Sequence, residues 1–316
     1  MEPEDFLSNH RQLSIHEKKR LEFTGKASLD QVLRSGAEIL TEAAYPESLQ
    51  QTLSHVSPAI FVRGDKSCLD APAVGIVGTR GASPYGRACA QKFAEALAAA
   101  GVTIISGGAL GIDAAAHKGA LAASGKTAAV LAGGIDHIYP AIHAPLFREI
   151  AESGCLVSQF AAGARPNEYK FLGRNVLIAA LSRALIVIQA PTRSGALSTA
   201  HAAADMGREV FVVPANIDSL EFRGSFNLIR DGATLVYHPD QVLEAIGVKK
   251  LKKEEPLAAL SELGQRILDV LGTEPIDPER IVERTGVSAG EVLSELTMLE
   301  LDGLVTRDSG GYTKKL

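Results

Sequence analysis

The sequence predicts an α/β protein: an extended Rossmann-like, doubly wound parallel sheet, with a small helical N-terminal region before it and a C-terminal winged helix after it. Three observations carry this reading. Short Val- and Ile-rich runs recur through residues 72–247, and they are continuous rather than alternating, as in strands covered on both faces. Helical stretches separate them, several ending at a glycine in the C-cap position. A charged segment at 248–256 (VKKLKKEEP) then precedes the order helix, helix–turn–helix, hairpin, which is that of a winged helix.

Taken in order, residues 28–44 read as one or two short helices, and a linker-like segment runs from Tyr45-Pro46 to Gly64-Asp65. Strands are expected at 74–79, 102–107, 128–132, 156–160, 184–189, 209–213 and 234–237, with helices at 85–100, 112–123 and 197–206 between them. Gly101, Gly125 and Gly207 stand just past those helices. A repeated βα pattern of this kind builds a parallel sheet with helices on both faces. After the linker, 257–271 is amphipathic, 277–285 follows Pro275 and 288–301 follows Gly286. Gly303-Leu304-Val305 then enters a strand, and Gly310-Gly311 marks a hairpin tip. The expected parts are therefore 1–70 (small helical region), 71–247 (Rossmann-like domain), 248–256 (linker) and 257–316 (winged helix).

Composition narrows the function classes. Apolar residues make up 46% of 316 positions, enough for a buried core and too many for a disordered chain. The net charge of −5 announces neither a nucleic-acid tail nor an anionic-membrane surface. Its distribution says more: residues 72–247 hold 14 Lys/Arg against 13 Asp/Glu, whereas 256–316 hold 6 against 11. Three dispersed cysteines, Cys68, Cys89 and Cys155, suggest no disulfide framework and fit a reducing cytoplasm. The polar, acidic start MEPEDFLSNHRQ is no signal peptide, and no run of 18 apolar residues is long enough to span a membrane.

The motifs exclude as well as suggest. After the first strand the glycines are Gly75, Gly78 and Gly81, not the G-x-G-x-x-G of a dinucleotide fold. The segment GALAASGKT at 119–127 has one residue too many for a phosphate loop and runs from helix to strand, the reverse of the required order. Asp113 and His117 share a helix face, but no third ligand stands at a metal-binding spacing, so a structural role is favoured and no metal is expected. No catalytic set emerges, and no cofactor is expected. What remains lies at the strand ends. Gly78-Thr79-Arg80, Ser106-Gly107-Gly108 and Arg193-Ser194-Gly195 are Gly-rich turns that expose backbone N–H groups before helices, an arrangement that favours anions. Lys170, Phe171, Arg174 and Asn175 offer cations and an aromatic face for a base. The alternative for that segment is a core Phe171 and an Arg174 paired with a carboxylate.

Together these residues resemble the DNA-processing protein A family (DprA, also called Smf). The resemblance covers about residues 45–316. It rests on Tyr45–Leu49, Val77-Gly78-Thr79-Arg80 with Tyr85-Gly86, Ser106–Ala109 through Gly111-Ile112-Asp113 to His117, and Gly134-Ile135-Asp136 with Tyr139-Pro140. It continues through Arg174-Asn175, Ser194-Gly195-Ala196 and Asn227-Leu228-Ile229. What it implies is a cytoplasmic, non-enzymatic protein that binds incoming single-stranded DNA, forms a homodimer and loads the RecA recombinase in natural transformation. The implied dimer patch is Phe226, Ile229 and Leu235. The alternative is a nucleotide-binding or nucleotide-cleaving Rossmann-type protein, or a divergent nucleic-acid sensor; the segment 191–199, PTRSGALST, lacks the glutamate that the cleaving enzymes carry there.

The chain departs from the family pattern in several places. Leu172 and Val176 stand where Phe-Pro-x-Arg-Asn-Arg would place Pro and Arg. Gln159 and Gln189 replace glutamates, and Ala215 replaces a glycine. The winged-helix recognition segment carries Glu291, Glu295 and Glu300 and no Lys or Arg, so the tail reads as a protein-interaction module rather than a DNA-reading one.

Overall fold

The Val/Ile runs assemble into one nine-stranded sheet. The computed structural model describes residues 34–57, 59–249, 260–272, 275–301, 304–308 and 311–314, and the chain divides into two units after Lys250. In the first unit the strands are β1 (Glu38–Thr41), β2 (Ala59–Gly64), β3 (Ala73–Val77), β4 (Thr103–Ser106), β5 (Thr127–Val130), β6 (Cys155–Ser158), β7 (Ala184–Val187), β8 (Glu209–Val212) and β9 (Thr234–Leu235). Their order is β1-β2-β6-β5-β4-β3-β7-β8-β9. From β6 to β9 all neighbours are parallel. At the β6 edge, β2 and β1 are added antiparallel.

Helices cover both faces, which is why the parallel strands are apolar throughout. They are α1 (Glu47–Gln50), α2 (Pro84–Ala99), α3 (Ile112–Ala122), α4 (Ala144–Ser153), α5 (Glu168–Leu181), α6 (Gly195–Asp205), α7 (Arg223–Arg230) and α8 (Pro239–Ala245). On one face Val74, Ile76, Ile104 and Ile186 pack on Phe93 and Leu97 of α2, Ile112 of α3 and Val242 of α8. Phe147 and Ile150 of α4 extend that layer over Phe61 and Leu156. On the other face Val77, Ile105, Val157 and Leu185 meet Leu177 and Leu181 of α5 and Ala200 and Ala203 of α6. The helix starts are capped from the sequence: Ser83 accepts from the Gly86 N–H ahead of Pro84, Asn167 from Lys170 and Ser194 from Ala196.

The N-terminal segment differs from the expectation. Residues 1–33 lie outside the described residues, so part of the expected 28–44 helix does too. Its described portion contains β1, whose Ile39 and Leu40 are buried on opposite faces. The expected linker from Tyr45 to Asp65 contains α1 and β2. Ala59–Val62 is completely buried, because this strand is sandwiched between β1 and β6 rather than exposed. Helices α4 and α8 have no counterpart among the expected elements; both are short and open on a proline. Helix α5 is started at Glu168 by the Asn167 cap, and it runs through Gly173 to Leu181.

In the second unit, α9 (Glu262–Val270), α10 (Pro278–Thr285) and α11 (Ala289–Leu301) precede the hairpin β10 (Val305–Asp308) and β11 (Gly311–Lys314). Ile267, Ile281, Val292, Leu296 and Tyr312 form its core. This is the winged-helix order. The expected linker from Lys250 on, and Gly303 and Gly310 of the hairpin, lie outside the described residues.

His117 is a core residue of α3, fully buried. Its Nδ1 is 2.7 Å from Thr127 Oγ1. That hydroxyl already donates to the Ile104 carbonyl at 2.7 Å, so His117 Nδ1 carries the proton and donates. Its Nε2 is buried without a partner. Burial, with help from the Arg174 and His143 charges, pushes its pKa down to about 3. The unfolded chain takes up a proton below about pH 6.5 that the folded chain refuses, so stability falls on acidification. The expected slope for this site is about 1.4 kcal/mol per pH unit between those limits. Urea unfolding of the wild type and of His117→Gln at pH 7 and pH 5 checks it: the wild type should lose about 1–2 kcal/mol more than the variant.

Candidate nucleic-acid interface

The strand order fixes where a site can form. β3 winds through α2 to β4 on one side, and β7 winds through α6 to β8 on the other. In an open parallel sheet, ligands bind outside the carboxyl ends of the strands where the winding reverses. Here that seam lies between β3 and β7, and a cavity of about 360 Å³ opens there. Gly78, Thr79 and Arg80 line it from the end of β3, and Arg193, Ser194 and Gly195 from the turn after β7. Phe171, Arg174 and Asn175 reach it from α5. These nine candidates thus come together from three separate segments.

Four other candidates do not line it. Ser106 is buried and donates to the Ile76 carbonyl at 2.6 Å. Gly107 lies under the Arg174 guanidinium; a Cβ there would fall 1.1 Å from Nη1, so only glycine leaves room. Gly108 has φ of +66° and sits where a Cβ would strike the Phe147 ring. Lys170 is buried, its Nζ donating to the Arg165 carbonyl at 2.8 Å and lying 5.6 Å over Phe160. Arg174 lines the cavity and pairs with Asp113 Oδ2 at 3.3 Å, the carboxylate pairing that is the alternative given for it above.

Asp113, for which the sequence favours a structural role, holds Arg174 and is also part of the cavity wall. Its carboxylate also accepts from the Ala109 N–H. Burial depresses the Arg174 pKa, Asp113 opposes that shift, and the nearby Arg80 adds to it. Arg80 and Arg193 are exposed, and Arg80 lies 5.0 Å over the Phe171 ring. The α6 N-terminus brings the positive end of its helix dipole to the cavity at Gly195. Chemically this is a recess for an anion beside an aromatic face. Among the described residues no group of three His, Cys, Asp or Glu could hold a metal.

Gln189 organises the loops from below. Its carbonyl accepts from Thr79 N–H at 2.7 Å. Its Oε1 accepts from the N–H and Oγ of Ser83, both at 3.0 Å, and its Nε2 donates to Glu221 at 2.6 Å. The dimer-patch candidates lie just beyond. Phe226 and Ile229 are half-buried on α7, and Leu235 is exposed on the edge strand β9.

The comparisons with known proteins agree with this fold. The model of the family described as DNA recombination-mediator protein A matches residues 37–247. The chain belongs to that family. The model described as DprA winged helix domain matches residues 252–311. A DNA processing protein of Mycobacterium tuberculosis is 42% identical over 249 residues, covering 76% of this chain and 64% of that protein's length. The crystal structure of DNA processing protein A from Streptococcus pneumoniae superposes with a TM-score of 0.64 at 34% identity, covering 69% of this chain and 77% of that one. The Helicobacter pylori protein, described for its single-stranded DNA binding mode, gives 0.60 at 30% identity over 66% and 95%.

The departures from the family pattern do not form one cluster at the cavity. Gln159, Leu172 and Val176 line a separate open groove on the α5–α6 face, while Gln189 lies directly beneath the cavity loops. Gln189→Glu removes the donor to Glu221 and sets a buried carboxylate against the exposed one of Glu221. The variant should lose about 1–3 kcal/mol near neutral pH. The loss should shrink below about pH 5, where the pair can hold a proton between them. Thermal unfolding of the two proteins across that range measures it.

Proposed function

We propose that this chain is a non-enzymatic recombination mediator that binds single-stranded DNA in the β3–β7 cavity, protects it and loads RecA onto it during natural transformation. One observation carries the reading: two exposed guanidiniums, a helix N-terminus and an aromatic ring converge where the sheet's winding reverses. That set suits a phosphate and the face of an unpaired base. The binding mode described for the Helicobacter pylori relative supports it, as does the family's description as recombination mediators. The missing glutamate at 191–199 argues against nucleotide cleavage. No helix among the described residues is long and apolar enough to cross a membrane, and a cytoplasmic setting goes with the proposal.

The test is a titration of labelled oligo-dT against salt. The Rossmann-like unit is almost neutral, so few phosphates are neutralised: about three to five, for a slope of log K on log salt of roughly −2 to −4. A slope near −8 would require a broad basic surface and contradicts the cavity. Arg80→Ala should weaken binding about 10- to 100-fold for all sequences alike. Tighter binding of free nucleoside phosphates than of oligo-dT would favour the nucleotide-binding alternative.

The proposal includes an isologous dimer through Phe226, Ile229 and Leu235. Ile229 also packs against the core, so Leu235→Glu, on the exposed edge, is the cleaner variant. It should give a folded monomer by light scattering with weaker oligo-dT binding. An unchanged dimer places the interface elsewhere.

A further inference from the structure

Beside the main cavity lies a smaller recess of about 40 Å³. Arg80 and Phe171 line both spaces and so form the ridge between them. Leu110, Tyr139 and Pro140 line the recess and not the main cavity. The Tyr139 ring meets Phe171 at 5.8 Å between centroids and 68° between planes. Tyr139 keeps 51% of its surface exposed and Leu110 45%. A tyrosine that served only to pack Phe171 would be covered; this one touches Phe171 and leaves much of its surface open to solvent at the rim of an anion site.

The recess has room for no more than a few waters, so it cannot enclose a base. It offers a surface instead, and stacking requires only a face. We propose that Tyr139 is a second base platform: it stacks the nucleobase next to the one in the main cavity, and the strand crosses the ridge with its linking phosphate on Arg80. This rests on the single-strand reading above. The Phe171 ring stands at a steep angle to Tyr139 and carries Arg80 and Arg174 over it, so a base stacked on Tyr139 cannot also stack on its neighbour in the main cavity. The site therefore selects a strand whose bases can splay, and it disfavours duplex.

The chain contains no tryptophan, which supplies a direct probe. Tyr139→Trp introduces a single indole on the proposed platform. Its fluorescence should be quenched by oligo-dT with the same midpoint as the anisotropy of labelled strand, and left unchanged by thymidine monophosphate, which fills only the main cavity. Tyr139→Ala should weaken oligo-dT binding about five- to 100-fold. Tyr139→Leu, which keeps apolar contact with Phe171, should lose as much, and Tyr139→Phe should restore it. Monophosphate binding should be equal in all of them. If the Ala and Leu variants stay within twofold of wild type, or the indole is silent while the strand binds, the platform is wrong and the main cavity stands. If wild type itself does not bind oligo-dT, both readings fall.

Discussion

The candidate site depends on one buried contact, the Arg174–Asp113 pair. Both side chains are almost wholly out of water, at 7% and 6% exposure, and the guanidinium Nε has no partner. Two charges buried together gain little net stability, but removing either one strands the other. The pair therefore fixes geometry more than it adds stability: it ties α5 to the start of α3 across the β4 turn. Gly107 is the other half of the constraint, since any side chain there would occupy the guanidinium's place. With Arg174 neutralised by Asp113, attraction for a phosphate falls to the exposed Arg80 and Arg193. The same buried cation helps hold His117, one turn along α3, in its neutral form.

Much of the fold was legible because the physics that sets it is local. Continuous Val and Ile runs mark strands covered on both faces, and Gly101 and Gly207, both at positive φ, mark helix ends. The strand-end turns at Gly78 and Arg193 could be placed together because a parallel sheet brings its carboxyl ends to one edge. What stayed hidden depends on distant partners. β1 and β2 are strands because β6 leaves an edge for them, and nothing in Glu38–Thr41 itself excludes a helix. Asp113 looked like a helix-start residue because its partner lies 61 positions away. Lys170 looked like a phosphate ligand by its neighbours in sequence, but the helix turns it toward Arg165 and Phe160.

Charge distribution separates the two units in kind. The Rossmann-like unit is almost neutral, so its attraction for an anion must come from where its charges sit rather than from how many there are. The winged helix has the opposite balance. Along α11, Glu291 accepts from Ser288 and Glu295 from Ser261, while Leu293 and Met298 stand exposed. A phosphate backbone meeting this helix would find carboxylates and apolar groups, with no cation to replace its counterions. An acidic helix with exposed apolar side chains is suited to a protein surface of basic character.

The Gln189 contacts join two features that the sequence presented separately. Through its backbone it holds the Thr79 turn, and through its side chain it holds Ser83 on one side and Glu221 on the other. Glu221 is followed by Phe222, whose ring stacks on Phe226 at 6.4 Å, the first residue of the proposed dimer patch. Tyr85, in the first turn of α2, lies against the same Phe222 ring at 6.1 Å and donates to the Pro214 carbonyl. A short chain of hydrogen bonds and ring contacts thus runs from the cavity loop to α7 inside one unit. A glutamine fits this position because the two sides ask for opposite roles: Ser83 needs an acceptor and Glu221 needs a donor. The amide supplies one of each, whereas an ionised carboxylate would satisfy Ser83 and repel Glu221. Gln189 therefore suits the particular neighbour that Glu221 provides, and one residue holds both the cavity loop and the turn that leads into α7.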